Sequence, residues 1–343
     1  MSRLPDLDGV ISSEEVHLTA ESIASLQLPS GMIPWFVGGH CDPWNHVETA
    51  MALDVAGLHS AAERAYEWLV DMQRPEGAWN NYYLPDGSVE DIKLDTNVCA
   101  YVATGVWHHW LCTWDRAFVD HLWPTVDRAL DWVLGMRRHD GTILWACEPN
   151  SRPWDYALLT GSSSIMHSLQ CGAKLAELIN EPRPLWTEAA DALAAVISSS
   201  PDSAFEPKAR WAMDWYYPVL TGAMIGEQGK ARLNDGWEAF AMEDRGIRCV
   251  SDEPWVTASE TAECSMSFTA IGDIATATDL LRWTRAHRCD DGAYSTGIVY
   301  PSLERFPAGE RSAYTGAAVI LAADAITGAS AASRLFVPTP ATD

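Results

Sequence analysis

Positive charge is scarce in this sequence. Its 343 residues carry 23 Lys and Arg against 47 Asp and Glu, a formal net charge of −24. A surface of that sign repels phosphate backbones and anionic lipid, which excludes nucleic acid and polyanions as expected partners. Long apolar runs are missing as well. Nothing approaches the roughly 18 to 20 consecutive apolar residues of a membrane span, and Met1 to Glu15 carries acids where a secretory leader has an apolar stretch. The expected location is the cytoplasm. The eight cysteines (Cys41, Cys99, Cys112, Cys147, Cys171, Cys249, Cys264, Cys289) form no Cys-x-x-Cys pair and read as reduced packing thiols. His40, Cys41, Asp42 and His46 cluster, but no second pair of matching spacing completes a zinc site, so neither metal nor cofactor is expected. Serines 162 to 164 lack the Gly-x-Ser-x-Gly setting of a nucleophile elbow. Strand-type alternation of β-branched residues is nearly absent.

Tryptophan, by contrast, is in surplus. There are 17, in a chain whose 48% hydrophobic and 20% charged composition supports a large folded core. More indoles than a core needs suggest a site where sugar rings or apolar ligands stack. Their distribution follows a repeating unit of about 40 to 65 residues, made of an amphipathic helix, a loop rich in Trp, Tyr, Pro and acids, then a more apolar helix. The six loops are Trp35 to Asn45, Trp79 to Asn97, Leu144 to Ser164, Asp214 to Gly222, Arg248 to Glu260 and Tyr294 to Thr315. The helices that follow are expected to begin near Val47, Thr96, Ser162, Val219, Ser259 and Glu310. Segments such as Ala313 to Ile326 are apolar around most of their circumference and must be buried on all sides. Ser12 to Leu26, Ala61 to Gln73, Ala117 to Arg137, Pro184 to Ser198 and Ala275 to Arg288 have one apolar stripe and suit an outer layer. Thr96, Ser162 and Ser259 are of N-cap type, Gly57, Gly77, Gly141 and Gly292 follow helices, and Pro124 is expected to break a long segment. Twelve helices in six pairs predict an all-α (α/α)6 toroid, a single domain over 1–343 with its core at about 12–330. An open bundle or solenoid is the alternative.

Two resemblances bear on this reading. The stretch Arg64 to Asn80, RAYEWLVDMQRPEGAWN, resembles the Gln-Trp repeat of squalene and hopene cyclases and prenyltransferases, with weaker echoes at Arg128 to Ile143 and Leu281 to Tyr294. It implies that Gln73 caps a neighbouring inner helix while Trp79 packs over the turn. Over most of the chain, LDTNVCAYVATGVWHHW, DRAFVDHLWPTVDRALDWVLGMRRHDGTI, ALLTGSSSIMHSLQCGAKLAELI and FPAGERSAYTGAAVILAADA resemble bacterial glucoamylase-like six-hairpin glycosidases. Both resemblances imply the six-hairpin ring.

Glycosidases need two carboxylates, an acid and a base, about 6.5 to 9.5 Å apart for an inverting reaction. The third loop offers Glu148, with Trp145 and Trp154 to desolvate it and Arg152 to orient a partner. In the glucoamylase-like family the acid directly follows a Trp at this point, whereas Ala146 and Cys147 intervene here. That family's base lies in the last loop, where this chain reads Ser295, Thr296 and Gly297; the substitutes are Glu304 and Glu310, and Glu310 is expected at the N-terminus of the last inner helix. Candidate substrate-binding residues are Trp35, Asp42, Trp44, Asp95, Trp145, Trp154, Asp155, Asp214, Trp215, Tyr216, Trp255 and Glu260, since carboxylates accept hydroxyl hydrogen bonds and indoles stack on sugar C–H faces. The expected ligand is a small neutral carbohydrate and the expected function a glycosidase-like hydrolase. A terpene cyclase or prenyltransferase is the first alternative, although Asp-x-Asp-Asp and Asp-x-x-Asp-Asp motifs are missing. A non-catalytic sugar-binding toroid is the second.

Overall fold

Twelve α-helices carry the chain in a computed structural model that describes residues 3–337. In chain order the elements are α1 (Ser13–Ala24), α2 (Pro43–Val55), α3 (His59–Met72), β1 (Tyr82–Tyr83), β2 (Val89–Asp91), β3 (Leu94–Asp95), α4 (Thr96–Thr113), α5 (Arg116–Leu134), β4 (Ala146–Cys147), α6 (Leu159–Leu178) and α7 (Pro184–Ser199). There follow α8 (Ala212–Leu220), α9 (Gly226–Phe240), β5 (Ala241–Met242), β6 (Gly246–Arg248), β7 (Trp255–Thr257), α10 (Ala258–Ala270), α11 (Ile274–Trp283), a 3-10 turn (Thr284–His287), β8 (Gly297–Val299), β9 (Glu304–Arg305) and α12 (Ala313–Thr327). Helices of even number are buried around most of their surface; α12 is Ala, Val, Ile and Leu through two turns and hides every residue from Thr315 to Asp324. Odd-numbered helices hide one stripe, as α3 does with Ala61, Ala62, Ala65, Tyr66, Trp68 and Leu69. Among the described residues no helix is long and apolar enough to cross a membrane.

The chain forms two compact units. The first comprises residues 27–50 and 59–208, the second residues 3–26, 51–58 and 209–337. In the first unit, α4 packs against α5 and α6, and α6 against α7. A repeated joint braces its outer helices α3 and α5, each against a loop earlier in the chain. Gln27 donates to the carbonyls of Gly31 (3.0 Å) and Ala61 (2.9 Å), and its own carbonyl accepts from Arg64. Gln73 does the same with Gly77, Thr125 and Arg128. The loop glycine must press on the next helix: a Cβ at Gly31 would lie 2.1 Å from the Arg64 carbonyl oxygen, and one at Gly77 would lie 2.3 Å from that of Arg128, both at φ near +100°. Gln73 therefore braces an outer helix, not the inner helix expected, while Trp79 packs as expected, donating to the Leu69 carbonyl.

In the second unit, α10 packs against α8, α11 and α12, and α1 lies on α12. Thr19 of α1 donates to the Gly292 carbonyl at 2.9 Å. A five-stranded antiparallel sheet runs in the order β5-β6-β7-β8-β9 and packs Val256, Ile298, Tyr300 and Met242 on one face. These strands went unforeseen because two or three residues are too few to display an alternating pattern. Pro124 does not break α5. Its missing N–H would have bonded the Asp120 carbonyl, and both residues sit on the exposed face, where a lost backbone bond costs least.

Candidate active site

In the first unit the loop before α2 is built around Asp42. Its buried carboxylate accepts the Trp35 indole N–H (2.7 Å), the Asn45 backbone N–H (3.0 Å) and the Asn45 side-chain amide (2.7 Å). Burial nevertheless pushes the carboxyl above the ordinary aspartate range, because the donors only partly offset desolvation. Asp95 repeats the arrangement at the start of α4. It caps the helix through the Asn97 and Val98 N–H groups, accepts the Trp145 indole N–H, and lies 3.5 Å from the Lys93 ammonium. Burial raises this carboxyl too, against the pull of Lys93. Tyr82 is raised by burial and then by the charges of Asp42 and Asp95. His40 stacks on Tyr82 at 4.5 Å and bonds Glu90 at 2.8 Å, and Trp35 meets His40 edge-on at 4.8 Å. Trp145 packs on Trp154 (5.1 Å) and Tyr156 (5.5 Å), with the Lys93 ammonium over its ring.

Beneath this layer Trp44 stacks on Tyr101 at 4.8 Å. The Tyr101 hydroxyl donates to Glu48 at 2.5 Å, and Glu48, 1% exposed, is pushed up to about 7 by burial. His46 is held neutral: Nδ1 accepts the Ile33 N–H (3.2 Å), Nε2–H donates to the Ala65 carbonyl (2.8 Å), and burial lowers its pKa to about 4.

The second unit assembles a different acidic wall. Glu260, in the first turn of α10, accepts hydroxyl hydrogen bonds from Thr257 and Ser259 (2.7 Å). The Cys249 thiol lies against it and is raised, first by burial and then by the Glu260 charge. One turn further along, buried Glu263 accepts the Tyr216 hydroxyl on Oε2 and the Tyr314 hydroxyl on Oε1. Glu310 accepts from the Thr296 hydroxyl at 2.9 Å, and Thr296 bonds the backbone of Ala258, at the start of α10.

Several expectations need correction. Glu148 stands exposed on the turn after β4. The indoles meant to desolvate it, Trp145 and Trp154, pack on each other, and Trp145 bonds Asp95. Glu310 is not at a helix start: α12 begins at Ala313 and is capped by Ser312. Asp155 faces solvent, 3.8 Å from Arg138. Trp215 is committed to packing, with its N–H on the Arg232 carbonyl (2.7 Å) and its ring on Phe240 (5.3 Å). Asp214, beside it in the first turn of α8, is buried, and its carbonyl accepts from Arg232. Glu48, Glu263, Tyr82, Tyr101 and Tyr314 were not singled out from sequence. The available signal was a lone carboxylate in the apolar run VETAMAL for Glu48; ETAECSM, with two glutamates among Ser and Thr, offered none for Glu263.

No family model matches the chain. Over 336 residues it is 46% identical to the MMP endo-(1,4)-3-O-methyl-alpha-D-mannosidase of Mycolicibacterium hassiacum, covering 98% of this chain and 92% of that protein. A glycosidase of known structure superposes on 95% of this chain and 97% of its own with a TM-score of 0.73 at 14% identity. The cellobiose 2-epimerase of Spirochaeta thermophila does so over 92% and 96% with a TM-score of 0.68 at 13% identity. The fold is the all-α (α/α)6 toroid of these six-hairpin proteins.

Proposed function

Because the chain belongs to the family of the MMP endo-(1,4)-3-O-methyl-alpha-D-mannosidase, we propose that it hydrolyses internal (1,4) linkages in chains of 3-O-methyl-α-D-mannose. It is a glycosidase-like hydrolase of carbohydrate metabolism. The observation that supports the finer reading is the identity of 46% sustained along 98% of the chain, which leaves neither unit outside the match.

Hydrolysis places water across the bond between C1 and the glycosidic oxygen. One carboxylic acid protonates the departing oxygen, and one carboxylate assists at C1 by taking the proton of water or by attacking directly. Roles follow from each residue's own surroundings. Asp42 is the proposed proton donor, because burial holds its proton more tightly than an ordinary aspartate would. Glu260, seated by two hydroxyl donors in the first turn of α10, is the proposed anionic carboxylate. Asp95, with its indole partner Trp145, is proposed to accept sugar hydroxyls, and Trp35, Tyr82 and Trp154 to supply ring faces. The pair Glu148 and Glu310 is the second reading, favoured by the seat of Glu310 on Thr296 beside the start of α10.

The test is digestion of (1,4)-linked 3-O-methyl-α-D-manno-oligosaccharides followed by mass spectrometry. Fragments of intermediate length are expected; intact substrate or single sugars alone would refute endo-hydrolysis. Asp42→Asn and Glu260→Gln should each lower kcat by about 10²- to 10⁴-fold. If Glu148→Gln and Glu310→Gln show that loss instead, the second reading replaces the first.

A further inference from the structure

Trp255 and Thr257 lie two residues apart on β7, so their side chains share one face of the sheet. Thr257 donates its hydroxyl to Glu260, which places Trp255 on the face that carries the anchor of the proposed anionic carboxylate. The strand opposite supplies Gly297, paired with Thr257. A Cβ there would lie 2.0 Å from the Trp255 indole nitrogen and 2.9 Å from the ring carbon on either side of it, so the indole turns its N–H edge onto a strand that has no side chain at that point. Phe306 borders the same strand, its N–H bonding the Gly297 carbonyl at 3.0 Å. Its ring meets the indole edge-on at 5.4 Å and remains 49% exposed.

The hydrogen bonding of this patch is closed on itself. The Trp255 N–H donates to the Phe306 carbonyl at 3.1 Å, and what remains outward is ring surface. A sugar hydroxyl placed there would give up water and gain no partner, whereas a methyl ether has already lost its donor and has an apolar cap to bury. We infer that Trp255 and Phe306, held over Gly297, form an apolar subsite for the 3-O-methyl group and so determine the preference for methylated over plain mannose. This rests on the substrate reading above. Burial of one methyl group against aromatic rings supports roughly tenfold discrimination.

The experiment compares kcat/KM on (1,4)-α-D-manno-oligosaccharides of equal length, 3-O-methylated and unmethylated, for the wild type, Phe306→Ala and Trp255→Ala. The wild type should prefer the methylated chain about tenfold or more, and the ratio should collapse toward one in either variant. Phe306, being half exposed, can be truncated with little risk to folding if Trp255→Ala does not fold. A wild type without preference, or a ratio unchanged in Phe306→Ala, overturns the inference. If the wild type cleaves neither chain, the substrate reading has failed, and binding of methyl 3-O-methyl-α-D-mannoside against methyl α-D-mannoside, followed by NMR titration, decides the subsite separately. Tighter binding of the methylated sugar that disappears in Phe306→Ala upholds it; equal binding of the two sugars overturns it.

Discussion

Replacing Glu48 by Gln should make the protein more stable above neutral pH. Glu48 is enclosed in α2 with a single donor, Tyr101, on one oxygen, and burial lifts its pKa from 4.5 to about 7. Between those values the folded protein holds a proton that the unfolded chain has released, so stability falls as pH rises from about 4.5 through 7. The rise corresponds to about 3 kcal/mol lost by pH 8. Glutamine keeps the volume, remains neutral at every pH and offers Tyr101 the same acceptor. Glu48→Gln should therefore match the wild type within about 1 kcal/mol at pH 4.5 and exceed it by up to about 3 kcal/mol at pH 8. Urea unfolding followed by tryptophan fluorescence at pH 4.5, 6, 7 and 8 gives the comparison, with a midpoint shift of up to about 1 M for a slope near 3 kcal/mol/M. Asp42, Asp95 and Asp324 are also raised by burial, but they titrate in both proteins and cancel in the difference. A difference between variant and wild type that does not change with pH would refute the reasoning.

Three further outcomes are expected. His46, lowered to about 4, contributes stability that is present above pH 6.5 and lost as pH falls toward 4; its ring resonances should not titrate above pH 5, and a midpoint near 6.5 would show that the ring is not sealed. Gly77→Ala forces a Cβ onto the Arg128 carbonyl at φ +102° and should cost more than about 2 kcal/mol in urea unfolding, whereas Gly87→Ala, with nothing within 4 Å, should cost only its backbone strain. Tyr101→Phe strips Glu48 of its donor and should destabilise by about 1 to 3 kcal/mol at pH 7, measured in the same way.

The helices were legible because each spans at least two turns, long enough for a stripe or a fully apolar surface to declare itself. Their starts were less so. Thr96 was read as a cap, but Asp95 caps α4, and α6 begins at Leu159 without a side-chain cap. Capping residues look alike in sequence, and only geometry shows which oxygen reaches the free N–H groups. In the site, Trp35 and Asp42 are near neighbours in the chain and were read together. The equivalent bond between Trp145 and Asp95 joins residues 50 positions apart, a pairing no local pattern reveals. Glu48 and Glu263 were hidden by their neighbours in opposite ways: one carboxylate in the apolar run of α2 does not disturb its pattern, and one more acid among the Ser, Thr and Glu of α10 draws no attention until its tyrosine partners are seen. Glu148 stood out for the opposite reason, since an acid beside aromatics in a loop looks enclosed on paper but can project freely into water.

The clasp between Thr19 and the Gly292 carbonyl also sets a timetable for synthesis. Its partners are 273 residues apart, whereas Gln27 reaches Ala61 across 34. At about 5 to 20 residues per second, the ribosome needs roughly 15 to 55 seconds to deliver Gly292 after Thr19, and longer to deliver α12. Through that interval the apolar stripe of α1, with Val16, Ala20 and Ile23, has been made but its docking surface has not. Made early, α1 is thus docked late, and its stripe stays uncovered until the distant segments that cover it arrive.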